Sequence, residues 1–329
     1  MKKSHVNILK IAFTALLLFL LYRKVDVDGF VAIVRGIWIL PLGGFFLICA
    51  VNMWLSSLRW GLLLRADGFD ISIRKLFVSH WIGSFFNFFM PSNIGGDVYR
   101  IADITKKSGK PVNSVASVFA DRLFGFIAMS SLGFVFPLIG FRQVPEEHRW
   151  TLLIPLVVFL GLLFLAGLIW QQGVLRFAAR FLPARLREKV ERILGLFLAS
   201  MRQYGRNPVV LLKCLGLSLA FQFLVIVAVF CVGTALRLGI PFFGYCVFVP
   251  LVGLLESVPS TINGMGFRDA GYIMFFTAFG LADPLAAAPA MALLYMMLTL
   301  MYASCGGLLF LRRLYGADAT EVASVGSGK

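Results

Sequence analysis

The sequence predicts an all-α polytopic membrane protein with six transmembrane helices plus two re-entrant broken-helix hairpins in an inverted repeat. Three observations carry this. First, 59% of the 329 residues are hydrophobic and the mean hydropathy is +0.87, whereas a soluble domain is roughly 45–50% apolar. Second, six apolar runs approach the length of about 20 residues that spans ~30 Å of hydrocarbon. Third, one short stretch occurs twice. Pro91-Ser92-Asn93-Ile94-Gly95-Gly96-Asp97-Val98-Tyr99-Arg100 aligns without a gap on Pro259-Ser260-Thr261-Ile262-Asn263-Gly264-Met265-Gly266-Phe267-Arg268, each after an apolar run. Proline, glycines and charged groups break a helix, and broken backbone at membrane depth survives only inside protein or beside a wet cavity.

The six runs are residues 6–22, 37–58, 112–140, 150–170, 208–236 and 285–311. The first follows Lys2, Lys3 and Lys10 and resembles a signal peptide, but Tyr22-Arg23-Lys24 offers no small-residue cleavage site. It is expected to stay as an uncleaved span. The broken segments 76–100 and 242–280 fall between the second and third runs and between the fifth and sixth. Residues 1–316 then form one membrane domain, with repeats at about 1–140 and 150–312.

If each broken segment enters and leaves on one side, most Lys and Arg residues gather on the N-terminal side of the membrane, including Arg59, Arg65, Lys106, Lys107, Lys110, Lys213, Arg312 and Arg313. The other side receives few, among them Arg35, Arg237 and Arg268. The positive-inside rule then places both termini in the cytoplasm, in a cytoplasmic (inner) membrane. Three crossings per half make the second half inverted relative to the first, the plan of many transporters.

Segment 172–206 carries Leu186, Val190, Ile193, Phe197 and Met201 at helical spacing with basic residues between them. It reads as an amphipathic helix on the cytoplasmic surface, either a strut between the halves or a collector of anionic lipid. The small, polar tail 317–329 reads as disordered.

A net charge of +15 in such a chain points to anionic lipid headgroups rather than nucleic acid. The five cysteines all lie in apolar runs, without a CxxC pair, and the three histidines are scattered. No disulfide framework, metal site or cofactor is expected. The signatures GxxxxGK[ST], HExxH and GxSxG do not occur, so enzymatic activity is not expected. Asp26-Val27-Asp28 matches a DxD pattern only by its letters and reads as a connector.

The candidate site residues cluster around the breaks. A helix restarting after each break presents free N–H groups and a positive dipole end. There Asn93, Gly95 and Gly96 on one side, and Asn263 and Gly264 on the other, would let a phosphate approach the backbone. Arg100 and Arg268 stand equally far beyond their prolines and could grip a phosphate bidentately. The plainer alternative is arginines reaching to interfacial water. Within the third run, Asp121 and Arg122 form an ionisable couple that needs a cavity or partners. Asp121 would orient Arg100 or Arg122, or would lock the hairpin to the span. Glu256 is read as a proton or cation site or as the partner of Arg268, and Asp97 and Asp269 as counter-charges or helix caps.

These residues carry a family resemblance. Arg59-Trp60, the stretch Phe86–Arg100, the segment Ala120-Asp121-Arg122-Leu123-Phe124-Gly125, and the second copy through Arg268-Asp269 together resemble the flippase-like membrane region of lysylphosphatidylglycerol synthases. The resemblance covers nearly the whole chain. It implies lipid translocation with Arg100, Arg122 and Arg268 as headgroup ligands. Asp269 stands where that family usually has glutamate. The soluble aminoacyl-transferase domain of full synthases has no counterpart here, so lysyl transfer by this chain is not expected. The expectation is a transporter of an anionic or aminoacylated phospholipid or a polyprenyl-linked lipid. The alternative is a membrane partner that presents such a lipid to a separate envelope glycosyl- or aminoacyl-transferase.

Overall fold

The computed structural model describes residues 27–89, 94–139, 153–171, 184–257 and 266–326, with Phe19, Glu146 and Gly264. Among the described residues every regular element is helical. The predicted run 6–22, the turns Pro91–Asn93 and 258–263, and residues 172–183 lie outside them, Phe19 apart.

Among the described residues, four helices are long and apolar enough to cross a membrane. They are α2 (Leu40–Ala66), α5 (Pro111–Ile139), α8 (Pro208–Ala235) and α11 (Pro284–Gly326, apolar through Leu314). Each has proline in its first or second position, where the missing N–H has no partner to lose. Asn207 caps α8 by accepting from the Val210 N–H at 3.2 Å. Large apolar side chains such as Leu47, Trp54, Leu212, Met301 and Leu308 remain exposed along these helices, as befits surfaces that face lipid. The predicted run 150–170 forms the 19-residue helix α6 (Leu153–Gln171), which packs on α5.

Three helices depart from expectation. Val27–Arg35 is a short helix, α1, where a connector was expected. Asp28 in its first turn and Arg35 in its last complement the helix dipole. Helix α2 continues beyond the apolar run 37–58, so Arg59, expected among the cytoplasmic loop cations, is a buried residue inside a span. Helix α11 carries on past Ala317 into the tail, where composition alone gives no fixed structure.

Both broken segments are pairs of helices. The first is α3 (Ile73–Phe89) and α4 (Gly95–Ser108), and the second is α9 (Phe242–Glu256) and α10 (Phe267–Ala278). Within each pair the two arms pack on each other. Helix α7 (Ala184–Arg206) lies across the ends of α2 and α5. Tyr204 donates to Asp67, the Gln203 amide to the Ala66 carbonyl, and Asn113 to the Ser200 hydroxyl at 3.0 Å, while Phe119 and Phe197 meet edge to face. These bonds tie α7 to two helices of the first half.

The packing pattern is nearly unchanged when the halves are exchanged. The helices α2 and α8 pair along their lengths. The first arm of each broken pair packs on the last long helix of the other half, α3 on α11 and α9 on α5. The second arm packs on the last helix of its own half, α4 on α5 and α10 on α11. Backbone contact is close at these crossings. A Cβ on Gly306 of α11 would stand 2.2 Å from the Trp81 carbonyl oxygen of α3, and one on Gly133 of α5 would stand 3.2 Å from Pro250 of α9. The large core lies around α8–α11, and a smaller one, centred on Trp60, Leu64, Leu76 and Ile104, lies in the first half.

Hydrogen bonds define the two ends of the bundle. The Trp38 N–H donates to the Ala235 carbonyl at one end, and Tyr204 reaches Asp67 at the other. The second end also gathers Arg65, Lys110 and Lys213, whereas the first carries Arg35 and Arg237.

Candidate functional site

A cavity of about 310 Å³ lies between the two halves, walled by α2, α3, α4 and α5 on one side and by α8 and α9 on the other. It is at the small end of ligand sites, which run roughly 300–1,000 Å³. Three guanidiniums (Arg59, Arg100, Arg122) and three carboxylates (Asp97, Asp121, Glu256) line it, together with His80, Asn87 and Gln222. Ionisable groups placed among membrane-spanning helices are costly and mark function or a structural ion pair.

Asp121 is the centre of the network. Its Oδ1 accepts from Arg59 Nε at 2.6 Å and its Oδ2 from Arg100 Nη2 at 2.8 Å, and all three side chains are almost fully buried. Arg59 also donates to the Ser218 hydroxyl at 2.8 Å, which ties α2 and α5 to α8. Arg100 stacks over the Trp60 ring at 4.1 Å, and the Trp60 indole N–H donates to Ser117 Oγ at 3.1 Å. A desolvated cation–π contact of this kind contributes about 2 kcal/mol. Asp97 accepts from Arg122 Nε at 2.8 Å and from Arg100 Nη1 at 3.4 Å. Arg122, with 43% of its side chain exposed, is by far the most open of the three cations.

The sequence-derived candidates divide accordingly. Arg100, Arg122, Asp97, Asp121 and Glu256 come together around the cavity. Asp121 pairs with Arg100, one of the two partners expected, whereas Arg122 turns to Asp97, as consecutive helical residues point about 100° apart. Arg268 does not line the cavity. It is buried behind Glu256, whose Oε1 lies 3.7 Å from its Nε, and its guanidinium faces the Tyr295 ring at 5.6 Å. Asp269 caps α10 by accepting from the Gly266 N–H at 2.8 Å.

The glycines serve packing here. Gly96 lies against α3, where a Cβ would meet the Gly83 carbonyl oxygen at 2.1 Å, and its N–H donates to Asn87 Oδ1 at 2.7 Å. That N–H is therefore already taken. Gly95 is also buried and is not part of the cavity wall. Gly264, at φ +72°, sits against the Glu256 side chain, where a Cβ would lie 2.8 Å from Cγ. Asn93 and Asn263 lie outside the described residues.

Sequence reasoning placed Arg59 among the cytoplasmic loop cations and gave no site role to it or to His80, Ser218 and Gln222. His80 lines the cavity, its Nε2 is 3.0 Å from Ser56 Oγ, and its Nδ1 is buried without a hydrogen-bond partner. Arg59 ends an apolar run and reads as an interfacial cation. Its partner Asp121 is 62 residues away, so nothing local reveals the pair.

The comparisons with known proteins agree on membrane proteins. The chain is 28% identical over 254 residues to a UPF0104 membrane protein of Methanothermobacter thermautotrophicus, covering 71% of this chain and 74% of that one. It is also 28% identical over 196 residues to a UPF0104 membrane protein of Methanocaldococcus jannaschii, covering 57% of this chain and 77% of the relative. No solved structure matches. Residues 7–307 match the family described as the lysylphosphatidylglycerol synthase TM region. With the match spanning the spans, both broken segments and the cavity between them, the chain belongs to the lysylphosphatidylglycerol synthase TM-region family.

Proposed function

We propose that this chain takes the polar headgroup of a membrane lipid into the cavity between its halves and carries it across the bilayer while the acyl or isoprenoid tails stay in hydrocarbon. The lipid is an anionic or aminoacylated phospholipid or a polyprenyl-linked lipid. The observation that carries this reading is the charged cavity of about 310 Å³ enclosed by both halves among apolar spans. Arg122 is the first contact for a phosphate, because it is the open cation, and Arg100 lies beyond it, held in place by Asp121 and Trp60. In this reading the pairs α3–α4 and α9–α10 are re-entrant hairpins of two inverted repeats that rock against each other. The cation-rich end faces the cytoplasm.

The test is headgroup accessibility in proteoliposomes, using phosphatidylglycerol, an aminoacyl-phosphatidylglycerol and a polyprenyl phosphate as reporters. The expected result is protein-dependent movement of one lipid class, reduced about tenfold or more by Arg122→Ala, the loss of one charge-assisted hydrogen bond. A folded protein that binds a lipid but moves none would overturn transport and support presentation to a partner enzyme instead. Movement unaffected by Arg122→Ala and Arg100→Ala would place the path outside the cavity.

A further inference from the structure

We infer that Glu256 is a proton-binding site coupled to the headgroup site, exchanging its partner Arg268 with the lipid phosphate. This rests on the headgroup-binding reading and adds to it what accompanies the lipid.

The three cavity carboxylates are not held alike. Both oxygens of Asp121 accept from guanidiniums, at 2.6 and 2.8 Å, and both oxygens of Asp97 are likewise engaged. Among the described residues Glu256 has one ion-pair contact, at 3.7 Å, too long for a hydrogen bond. Its partner's Nε is buried and has no hydrogen-bond acceptor among them. Glu256 also forms part of the wall of a second, smaller cavity of about 50 Å³ that adjoins the first and contains Tyr272 and Tyr295. The carboxylate therefore has room to move, and it stands between the main cavity and a guanidinium without a fixed acceptor.

Among the described residues the groups around it are these. From α10 come Arg268, Asp269 and Tyr272, and from α11 comes Tyr295. The α8 face offers the neutral Gln222, and α5 offers Met129. Across the main cavity lie the Arg59–Asp121–Arg100 and Arg122–Asp97 groups and His80. Apart from Arg268, the cations are engaged with the other two carboxylates.

A hydronium ion in solution gives its proton to a Glu256 carboxylate oxygen: one O–H bond forms there as the hydronium O–H bond breaks, and water is left. The attraction to Arg268 is lost, the neutral side chain moves aside, and the guanidinium donates to a phosphate oxygen of the headgroup in its place. When the headgroup leaves, Glu256 returns its proton to water and pairs with Arg268 again. Proton and phosphate thus favour each other's binding, a reciprocal coupling.

The test uses the purified full chain in lipid nanodiscs, with short-chain phosphatidylglycerol as the probe. Affinity is measured between about pH 5 and about pH 8, beside infrared difference spectra of protonated carboxyl groups. Wild type is expected to bind about tenfold more tightly at the acid end and to show a carboxylic-acid band that Glu256→Gln removes. Glu256→Gln, which has nearly the same shape, is expected to bind tightly with no pH dependence, and Arg268→Ala to lose the gain at acid pH. Equal pH dependence in wild type and Glu256→Gln, or an unchanged band, would overturn the inference. Transport with pH-independent binding sinks the proton site and leaves the transport reading standing. The band and the coupled binding without transport uphold the proton site and sink the transport reading.

Discussion

Asp121 is the residue on which the cavity depends most. It holds two buried guanidiniums on different helices, so removing its charge leaves both uncompensated among apolar neighbours. Breaking a buried ion pair from one side costs about 3–5 kcal/mol. Asp121→Asn should lower the thermal midpoint in detergent clearly, and more than Asp97→Asn, whose contact with Arg122 is partly exposed. A midpoint unchanged by Asp121→Asn would mean that the network does not hold the bundle together. Part of this arrangement was legible in the sequence. An Asp-Arg couple inside an apolar run demands partners, and the matched Pro-to-Arg spacing singled out Arg100. Arg59 was not legible, because a cation at the end of an apolar run has the same signature whether it reaches water or turns inward. Only the continuation of α2 to Ala66 distinguishes the two.

At the scale of elements, the glycines at the breaks show what motif reading can and cannot give. Their presence after Pro91 and Pro259 correctly signalled interrupted helices. Their purpose was not legible, because a glycine that admits a ligand and one that admits a neighbouring helix look alike in sequence. Gly96 admits α3, so Gly96→Ala places a Cβ against backbone that cannot yield like a side chain. The expected effect is separation of the α3–α4 arms at a cost of about 1–3 kcal/mol. Protease sensitivity near the first break measures it, and cleavage no faster than in wild type would contradict the packing role. The tie between α4 and α11 is a milder case. Arg313 donates to Asp103 at 2.6 Å and to the Tyr99 hydroxyl at 3.0 Å, but it is partly exposed. Arg313→Ala should therefore cost no more than about 1 kcal/mol.

At the scale of the whole molecule, the exchange pattern of contacts was foreshadowed by one repeated stretch. The apolar runs named the four long helices, since hydropathy over a span length reports burial in lipid directly. The crossed packing of α3 on α11 and α9 on α5 was beyond sequence reading, because it depends on which half each arm leans against. Orientation is open to a direct check. In a background with the native cysteines replaced, Lys106→Cys should react with a membrane-impermeant thiol reagent only from the cytoplasmic side, and Arg237→Cys only from the opposite side. Labelling of both from one side would contradict the proposed topology.

In the proposed function a lipid headgroup occupies the cavity between the halves. Photo-crosslinking in native membranes tests it most directly. A photoreactive residue at Phe126 or Gln222 faces the cavity, and one at Met301 serves as a control on an exposed surface midway along the apolar part of α11. The expected result is that the cavity positions capture a lipid through its headgroup and that Arg122→Ala abolishes this capture, while Met301 captures acyl chains alone in both backgrounds. Cavity positions that yield no lipid adduct, or the same adduct with and without Arg122, would contradict it.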